Sequence, residues 1–561
     1  GGGGGGGGEE GGIVEESSSS GDEDEGEVLA FAAASSKPSN FGIDAGQSIP
    51  FNNSTVAAIT SDIVQPSAPS TDTPLVCPAA AAQDSEAHAF YPIANPKYAV
   101  QTSAEELALS SPSPYSRYDT LMTADSTEFC PVPGFESVCA VATYELKGAS
   151  RLGSISVLDT NDLSANVLRP SWEGSGVLDC KWASAPVSMS DGGTDPAPLL
   201  AAVHANGTMT MHRLRRLSGG GAGAKLPQFS LAEACASVGM EGGPMFLSLD
   251  FDDRHERSRG GPLSVVVSQW DGCVSVWDVT AADRASGGRG GCGRGGSGGG
   301  SGGRRNNDGN GGPRRLHLWD AHKLPGGQVA EAWIAAFDCW HPKTVLTGGD
   351  DGALYGWDLR APGRPATGIN TSVNKSTDID TPPLKIFARY YDAGVCSVHF
   401  DEFREHRVAV GGYFGAVEIL DMRALSSAGS LATAMVTPLN RWETGGGVWR
   451  LKWHPSSVGV LASACMRGGV RVFQDPTGAA KSRGADGTGS GSADGATEDQ
   501  HGLVCRYTGH PGEALAYGVS WQRKRHGGSS GGGGGGRGGG KVVDTIASCS
   551  FYDHALHFWK V

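Results

Sequence analysis

Four side chains stand out for the chemistry they offer: the carboxylates of Glu331 and Asp350, the imidazole of His554 and the guanidinium of Arg450. A carboxylate or an imidazole takes a proton from an attacking water, and a fixed cation holds the charge that develops on an attacked carbonyl oxygen. Three aromatic residues are close to them in sequence, Trp333, Trp449 and Tyr552. Their ring faces line apolar pockets and attract cationic groups. The familiar catalytic words are missing or accidental. Gly-x-Ser-x-Gly occurs around Ser297 and Ser529, but both copies sit in glycine runs with no strand before and no helix after to hold a nucleophile. The chain has no phosphate-binding loop, no His-Glu-x-x-His and no dinucleotide fingerprint, so we expect no cofactor and assign no metal ligands.

What positions these residues is a repeat. From residue 117 onward, short β-branched and aromatic runs recur at intervals of some tens of residues, which points to a propeller or a solenoid. Each unit has the same internal order: an apolar strand, a turn, a second strand, a Gly-containing tight turn, and a strand often ending in Trp-Asp. The clearest unit runs from Ala332 to Phe337 through Trp340-His341-Pro342 and Val345 to Gly349 to the hairpin Asp350-Asp351-Gly352 and Trp357-Asp358. There the period-2 strands and the Asp-Gly hairpin signal agree. Further units begin at or include Ala124, Val177, Leu263, Val395, Val448 and Tyr517. The total is seven, and the expected class is an all-β, seven-bladed WD-repeat β-propeller. The last unit lacks a fourth strand and Arg117 to Thr123 has no place in the first, so we expect this segment to close the ring and remove an open sheet edge.

The fold makes its own demands on some polar residues. The hairpin Asp and entering-loop His of a blade commonly bond each other, and Asp351, Asp271, Asp553, His322 and His510 fit that locking role. His341 and His454, in the repeated Trp-His-Pro, fall at the opposite face and read as structural. Glu331, Asp350, Arg450 and His554 are not required by the blade, which is why they are the functional candidates.

The rest of the composition sets limits. The formal charge of −15 over 561 residues is concentrated in the acidic stretch Glu9 to Glu27, and residues 1–116 read as a disordered, low-complexity region ahead of a propeller over 117–561. Gly-rich inserts near 281–312, 475–500 and 525–540 read as loops grown between strands. Arg289, Arg294, Arg304 and Arg305 lack interleaved aromatics and read as solvated linker, so nucleic acid is not an expected partner. The chain has no apolar run of about 18 residues, so no membrane partner is expected either. Twelve cysteines without a Cys-x-x-Cys pair read as buried thiols of a soluble, cytoplasmic protein.

Several words go beyond the generic blade. They are Leu121-Met122-Thr123-Ala124-Asp125-Ser126 with Glu128-Phe129-Cys130-Pro131, Glu331-Ala332-Trp333-Ile334-Ala335-Ala336, Gly394-Val395-Cys396-Ser397, Gly446-Gly447-Val448-Trp449-Arg450 and Cys549-Ser550-Phe551-Tyr552-Asp553-His554. In these words the chain resembles the diphthine methyl ester esterases of diphthamide biosynthesis, a WD-repeat family formerly called diphthine methyltransferase. It departs from that pattern at Tyr413-Phe414 and at Arg467. The resemblance implies removal of a methyl ester from methylated diphthine on elongation factor 2 as the protein substrate. On that reaction Glu331, Asp350 or His554 is the expected base. Arg450 or the amides of Gly445 to Gly447 would stabilise the oxyanion, and Trp333, Trp449 and Tyr552 would face the trimethylammonium group. A different class of function is a non-catalytic adaptor, since Trp357-Asp358-Leu359-Arg360 resembles the box of ubiquitin-ligase substrate receptors.

Overall fold

The computed structural model describes residues 111–561 apart from 164–167, 189–195, 218–228, 236, 255–262, 281–312, 363–380, 428–436, 477–501 and 525–543. The expected low-complexity region over 1–116 falls almost wholly outside the described residues, as do nearly all of the three Gly-rich inserts. Within them the chain is a ring of seven antiparallel sheets, each with a central path of four strands. The inner strands, in order round the ring, are Ala124–Phe129, Val177–Trp182, Phe246–Phe251, Ala332–Phe337, Val395–Phe400, Arg450–Trp453 and Ala516–Trp521, and they define blades 1 to 7. The WD-repeat propeller expected from the sequence is the observed fold.

Closure works as the strand count requires. Ser116–Asp119 pairs antiparallel with Ala555–Lys560 as the outer strand of blade 7, from Ser116 opposite Phe558 to Asp119 opposite Ala555. The turn that follows continues the bond, because Thr120 N donates to the carbonyl of His554. The apolar clusters also bridge neighbours: Tyr118, Ala547 and Phe558 of blade 7 pack with Ala124, Phe129 and Val141 of blade 1.

Two blades carry the expected locks. In blade 4 the Trp357 indole donates to Thr347 Oγ1 (2.9 Å), Thr347 meets His322 Nε2 (2.9 Å), and His322 Nδ1 meets Asp351 (2.9 Å). In blade 7 Trp559, Ser548 and His510 repeat the chain, and Ser550 relays His510 to Asp553. Asp271 departs from this role: its carboxylate accepts from Cys273 N within its own turn (3.1 Å). The inner strand of blade 3 is also new relative to the sequence reading, which saw this unit only from Leu263. The polar stretch after Phe251 separates it from its partner Ser264–Gln269 and hides the pairing.

A bulge recurs in the inner strands. In blades 1, 2, 3, 4, 5 and 7 the register with the second strand skips one residue: Asp125, Leu178, Leu247, Trp333, Cys396 and Tyr517 respectively. In blade 6 Trp449 N bonds Ala464 O while Arg450 is registered with the same Ala464, which gives Trp449 the equivalent place. A bulge leaves its residue unpaired and re-aims the side chain. Repeated seven times, it fixes a layer of side chains at one end of the channel.

Candidate functional site at the channel mouth

The seven bulged residues meet around the axis. Leu247, Trp333 and Cys396 are buried together, with Leu178, Trp270, Tyr413 and Trp449 packed against them. Trp333 stands edge-on to Trp270 (6.1 Å), Tyr413 (6.2 Å) and Trp449 (5.6 Å). Trp449 stacks on Tyr517 (4.6 Å), Tyr517 meets Phe551 (4.9 Å), and Phe551 carries Tyr552 at its edge (5.0 Å). The result is an arc of rings from blade 3 to blade 7. Asp125 is the single acid among the seven bulged positions.

The sequence reading singled out no role for Asp125, and its electrostatics are unusual. Burial pushes its carboxyl up to about 8, against the lowering effect of the Arg450 guanidinium and the Trp449 indole and with a further rise from Asp179. A carboxyl of that kind is protonated at neutral pH and acts as a hydrogen-bond donor. The word Ala124-Asp125-Ser126 was visible in the sequence; the bulge that aims Asp125 at the axis was not.

Glu331 and Asp350 come together as the sequence suggested. Asp350 N donates to the carbonyl of Glu331 (2.9 Å), placing the two side chains at the entrance to blade 4. Burial raises the pKa of both, and each gains a further push from a neighbouring acid, Asp350 for Glu331 and Asp351 for Asp350. The Trp333 indole faces Asp350 Oδ1 at 3.4 Å and partly offsets the rise. Asp350 also borders Gly394, where a β-carbon would stand 2.8 Å from its Oδ1, so a side chain there would oblige the carboxylate to shift.

Arg450 lies just below this layer. It reaches across the channel to Asp179 of blade 2 (3.2 Å), which also accepts from Ser126 (3.0 Å) and faces Lys181 (3.4 Å). Burial would raise the Asp179 pKa, but Arg450, Lys181 and Lys452 together hold it below the usual carboxylate value. Deeper still, Lys452 of blade 6 pairs with Glu128 of blade 1 (2.6 Å). Two ion pairs between distant blades therefore floor the site.

His554 and Tyr552 belong to the blade 7 hairpin. His554 has a left-handed backbone (φ 55°), and its carbonyl is bonded by Thr120. Tyr552 is 56% exposed and meets the aromatic arc through Phe551. Gly447 lies against Tyr413 and Met466, at the entrance to blade 6. Elsewhere, Asp358 holds Arg360 through two bonds on the outside of blade 4, and Asp421 holds Arg423 in the same way in blade 5.

Fold and site together define a WD-repeat β-propeller with an acid- and ring-lined channel mouth. No family model matches the chain. It is 28% identical over 380 residues to the human diphthine methyltransferase, covering 63% of this chain and 66% of that protein. It is 30% identical over 244 residues to the diphthine methyltransferase homolog of Dictyostelium discoideum, covering 43% and 51%. Among solved structures, a chain of the mitotic checkpoint complex aligns over 82% of this chain and 95% of its own length with 12% identity and a TM-score of 0.45. The chain is similar in sequence to the curated diphthine methyltransferases, and it spans about two thirds or less of their length. Among the described residues no helix is long and apolar enough to cross a membrane.

Proposed function

We propose that this propeller hydrolyses the methyl ester of methylated diphthine on elongation factor 2, leaving diphthine ready for amidation to diphthamide. The observation that carries the reading is the mouth layer, in which one protonated acid, Asp125, shares a ring of bulged positions with Trp333, Trp449 and Tyr517. The aromatic faces suit a trimethylammonium group, each contact being worth about 0.5–2 kcal/mol. Asp350, with Glu331 beside it, takes a proton from the attacking water. Water oxygen bonds to the ester carbonyl carbon, Asp125 donates a hydrogen bond to the developing oxyanion, and the acyl C–O bond breaks as Asp350 returns the water's proton to the methoxy oxygen, which leaves as methanol; the new carboxylic acid then ionises. The products are a carboxylate and methanol, so no co-reactant other than water is consumed.

Arg450, bound to Asp179, acts in this reading by holding the floor of the site and biasing Asp125, and the hairpin that carries His554 and Tyr552 forms its rim. The decisive assay incubates the purified protein with elongation factor 2 bearing methylated diphthine, without added cofactor, and follows protein mass and methanol. Loss of one methyl with methanol release supports hydrolysis. Gain of a methyl only when a methyl donor is supplied would establish the transfer reaction that the relatives' name describes. If Glu331→Gln, Asp350→Asn and His554→Ala each keep full activity, the assignment of the base is wrong.

A second reading rests on the exposed Arg360, which Asp358 holds outside blade 4. It makes the propeller a ubiquitin-ligase adaptor. Co-purification with a ligase that is lost in Arg360→Ala, together with no methyl loss, would favour it.

A further inference from the structure

The face opposite the mouth carries a second constellation. It is formed by the turns between first and second strands of two adjacent blades, Phe337 to Thr344 in blade 4 and Phe400 to Arg407 in blade 5. His341 comes from the first turn, Glu405 and His406 from the second, and one ligand atom from each lies within 4.8 Å of the others. His341 Nε2 is 3.4 Å from Glu405 Oε1, and His406 Nε2 is 3.8 Å from the same oxygen. The two imidazoles are nearly parallel, 13° apart, with centroids separated by 5.7 Å.

Three features suit a cation better than a simple ion pair. The first is spacing. Ligands bound at about 2.0–2.1 Å in a tetrahedron sit roughly 3.4 Å apart, so the His341–Glu405 separation needs no change and the other two need modest closure. The second is orientation. His341 Nδ1 faces Asp338 Oδ2 at 3.1 Å, and donation of its N–H to that carboxylate leaves the Nε2 lone pair aimed at the cluster. A carboxylate behind a histidine is how metal-binding imidazoles are generally fixed in tautomer and direction. The third is backbone. His406 has φ 69°, an uncommon conformation for a residue with a side chain, and it is held there while its carbonyl accepts from Met422 N (2.8 Å). Strain of this sort persists where the surroundings enforce it.

The nearby arginines do not occupy the place of the cation. Arg423 is clamped by Asp421 (2.6 Å), and Arg404 is directed to Asp401 (2.6 Å) and Asp475 (2.9 Å). His341 and Glu405 side chains are 49% and 41% exposed, so an ion has access. The geometry points to a divalent transition-metal site, suited to zinc, in which His341 Nε2, Glu405 and His406 bind the ion and Asp338 orients His341. The bound ion cross-links blades 4 and 5 on the face away from the mouth, with a fourth position left to water.

The test is zinc titration of the full chain, starting from metal-free protein, in wild type, in the triple variant His341→Ala/Glu405→Gln/His406→Ala, and in Asp338→Asn. We expect the triple variant to bind one zinc equivalent fewer than wild type. Asp338→Asn should keep that equivalent with roughly ten-fold weaker affinity, because it removes the orienting group and not a ligand. Cobalt(II) provides a direct reading: wild type should show the strong visible bands of a four-coordinate site, and His406→Ala should lack them. Matching metal-free melting temperatures establish that the exposed substitutions leave the fold intact. Equal zinc equivalents in wild type and triple variant, with the same cobalt spectrum, overturn the proposal.

Discussion

The charge state of Asp125 decides what the channel mouth can do. Its folded pKa of about 8 lies above the value of an unfolded aspartate, so the folded protein holds an extra proton between those limits. The stability this contributes is complete at low pH and is lost as pH rises through about 8. Asp125→Asn keeps a neutral side chain at every pH. Its melting temperature should therefore gain on wild type as pH is taken from 6 to 9, while the groups facing it, Arg450, Asp179 and Trp449, are the same in both proteins. The same substitution tests the donor role, since an amide donates a weaker hydrogen bond than a carboxylic acid. With the esterase assay, wild-type kcat should fall as pH rises through about 8, and Asp125→Asn should lower kcat by up to about 10²-fold without this alkaline limb. The acidic limb belongs to Asp350 and Glu331, whose raised pKa values place it above the ordinary carboxylate range. At the same scale, Trp449→Leu should weaken binding of a trimethylammonium probe by roughly 2- to 30-fold, the range of one ring contact. A titration followed by tryptophan fluorescence measures it, with Trp277→Phe, on the third strand of blade 3 where its indole donates to Ser275 Oγ, as the control.

At the scale of elements, the parts of the fold that follow local rules were the parts legible in the sequence. Asp-Gly hairpins, Trp-Asp strand ends and entering-loop histidines are set by residues close along the chain, and they revealed the blades and two of the locks. The mouth was only half visible. Glu331 and Asp350 meet because they flank one blade's entrance, but Arg450 meets Asp179, 271 positions away, only when the ring is closed. Asp125 was hidden for a different reason: its direction depends on a one-residue register shift against Val138–Thr143, which side-chain type does not announce. The locks allow a graded test. His322→Ala strips partners from Thr347 and Asp351 in the interior and should cost about 3 kcal/mol in denaturant unfolding. Asp271→Ala removes one bond inside its own turn and should cost about 1 kcal/mol or less. Equal losses would mean that the His322 lock of blade 4 and the single turn bond of Asp271 contribute alike, contrary to their bonding.

For the molecule as a whole, the ring divides the chain into segments that must meet and segments that need only connect. Ser116–Asp119 is among the former. It is four residues long, yet it covers the edge of Ala555–Lys560 and brings Tyr118, 5% exposed, against Phe558 at the junction of blades 7 and 1. Deleting these four residues from the full chain exposes the backbone groups of a strand edge and uncovers apolar side chains, which is the condition for edge-to-edge association. Trimming eight glycines and serines from 293–302 should be nearly neutral, because the closure entropy of a loop changes by only about 0.6 kcal/mol for a two-fold change in length. The comparison is read by melting temperature and light scattering across a range of protein concentrations. The expected result is a lower melting point and concentration-dependent scattering for the four-residue deletion, and wild-type behaviour for the eight-residue one. If both deletions behave like wild type, blade 7 is stable on three strands and the closing strand is dispensable. The mouth should respond in step with closure, because Phe551 and Tyr517 of blade 7 carry the end of its aromatic arc. Loss of the strand should therefore also weaken trimethylammonium binding at temperatures where the rest of the ring remains folded.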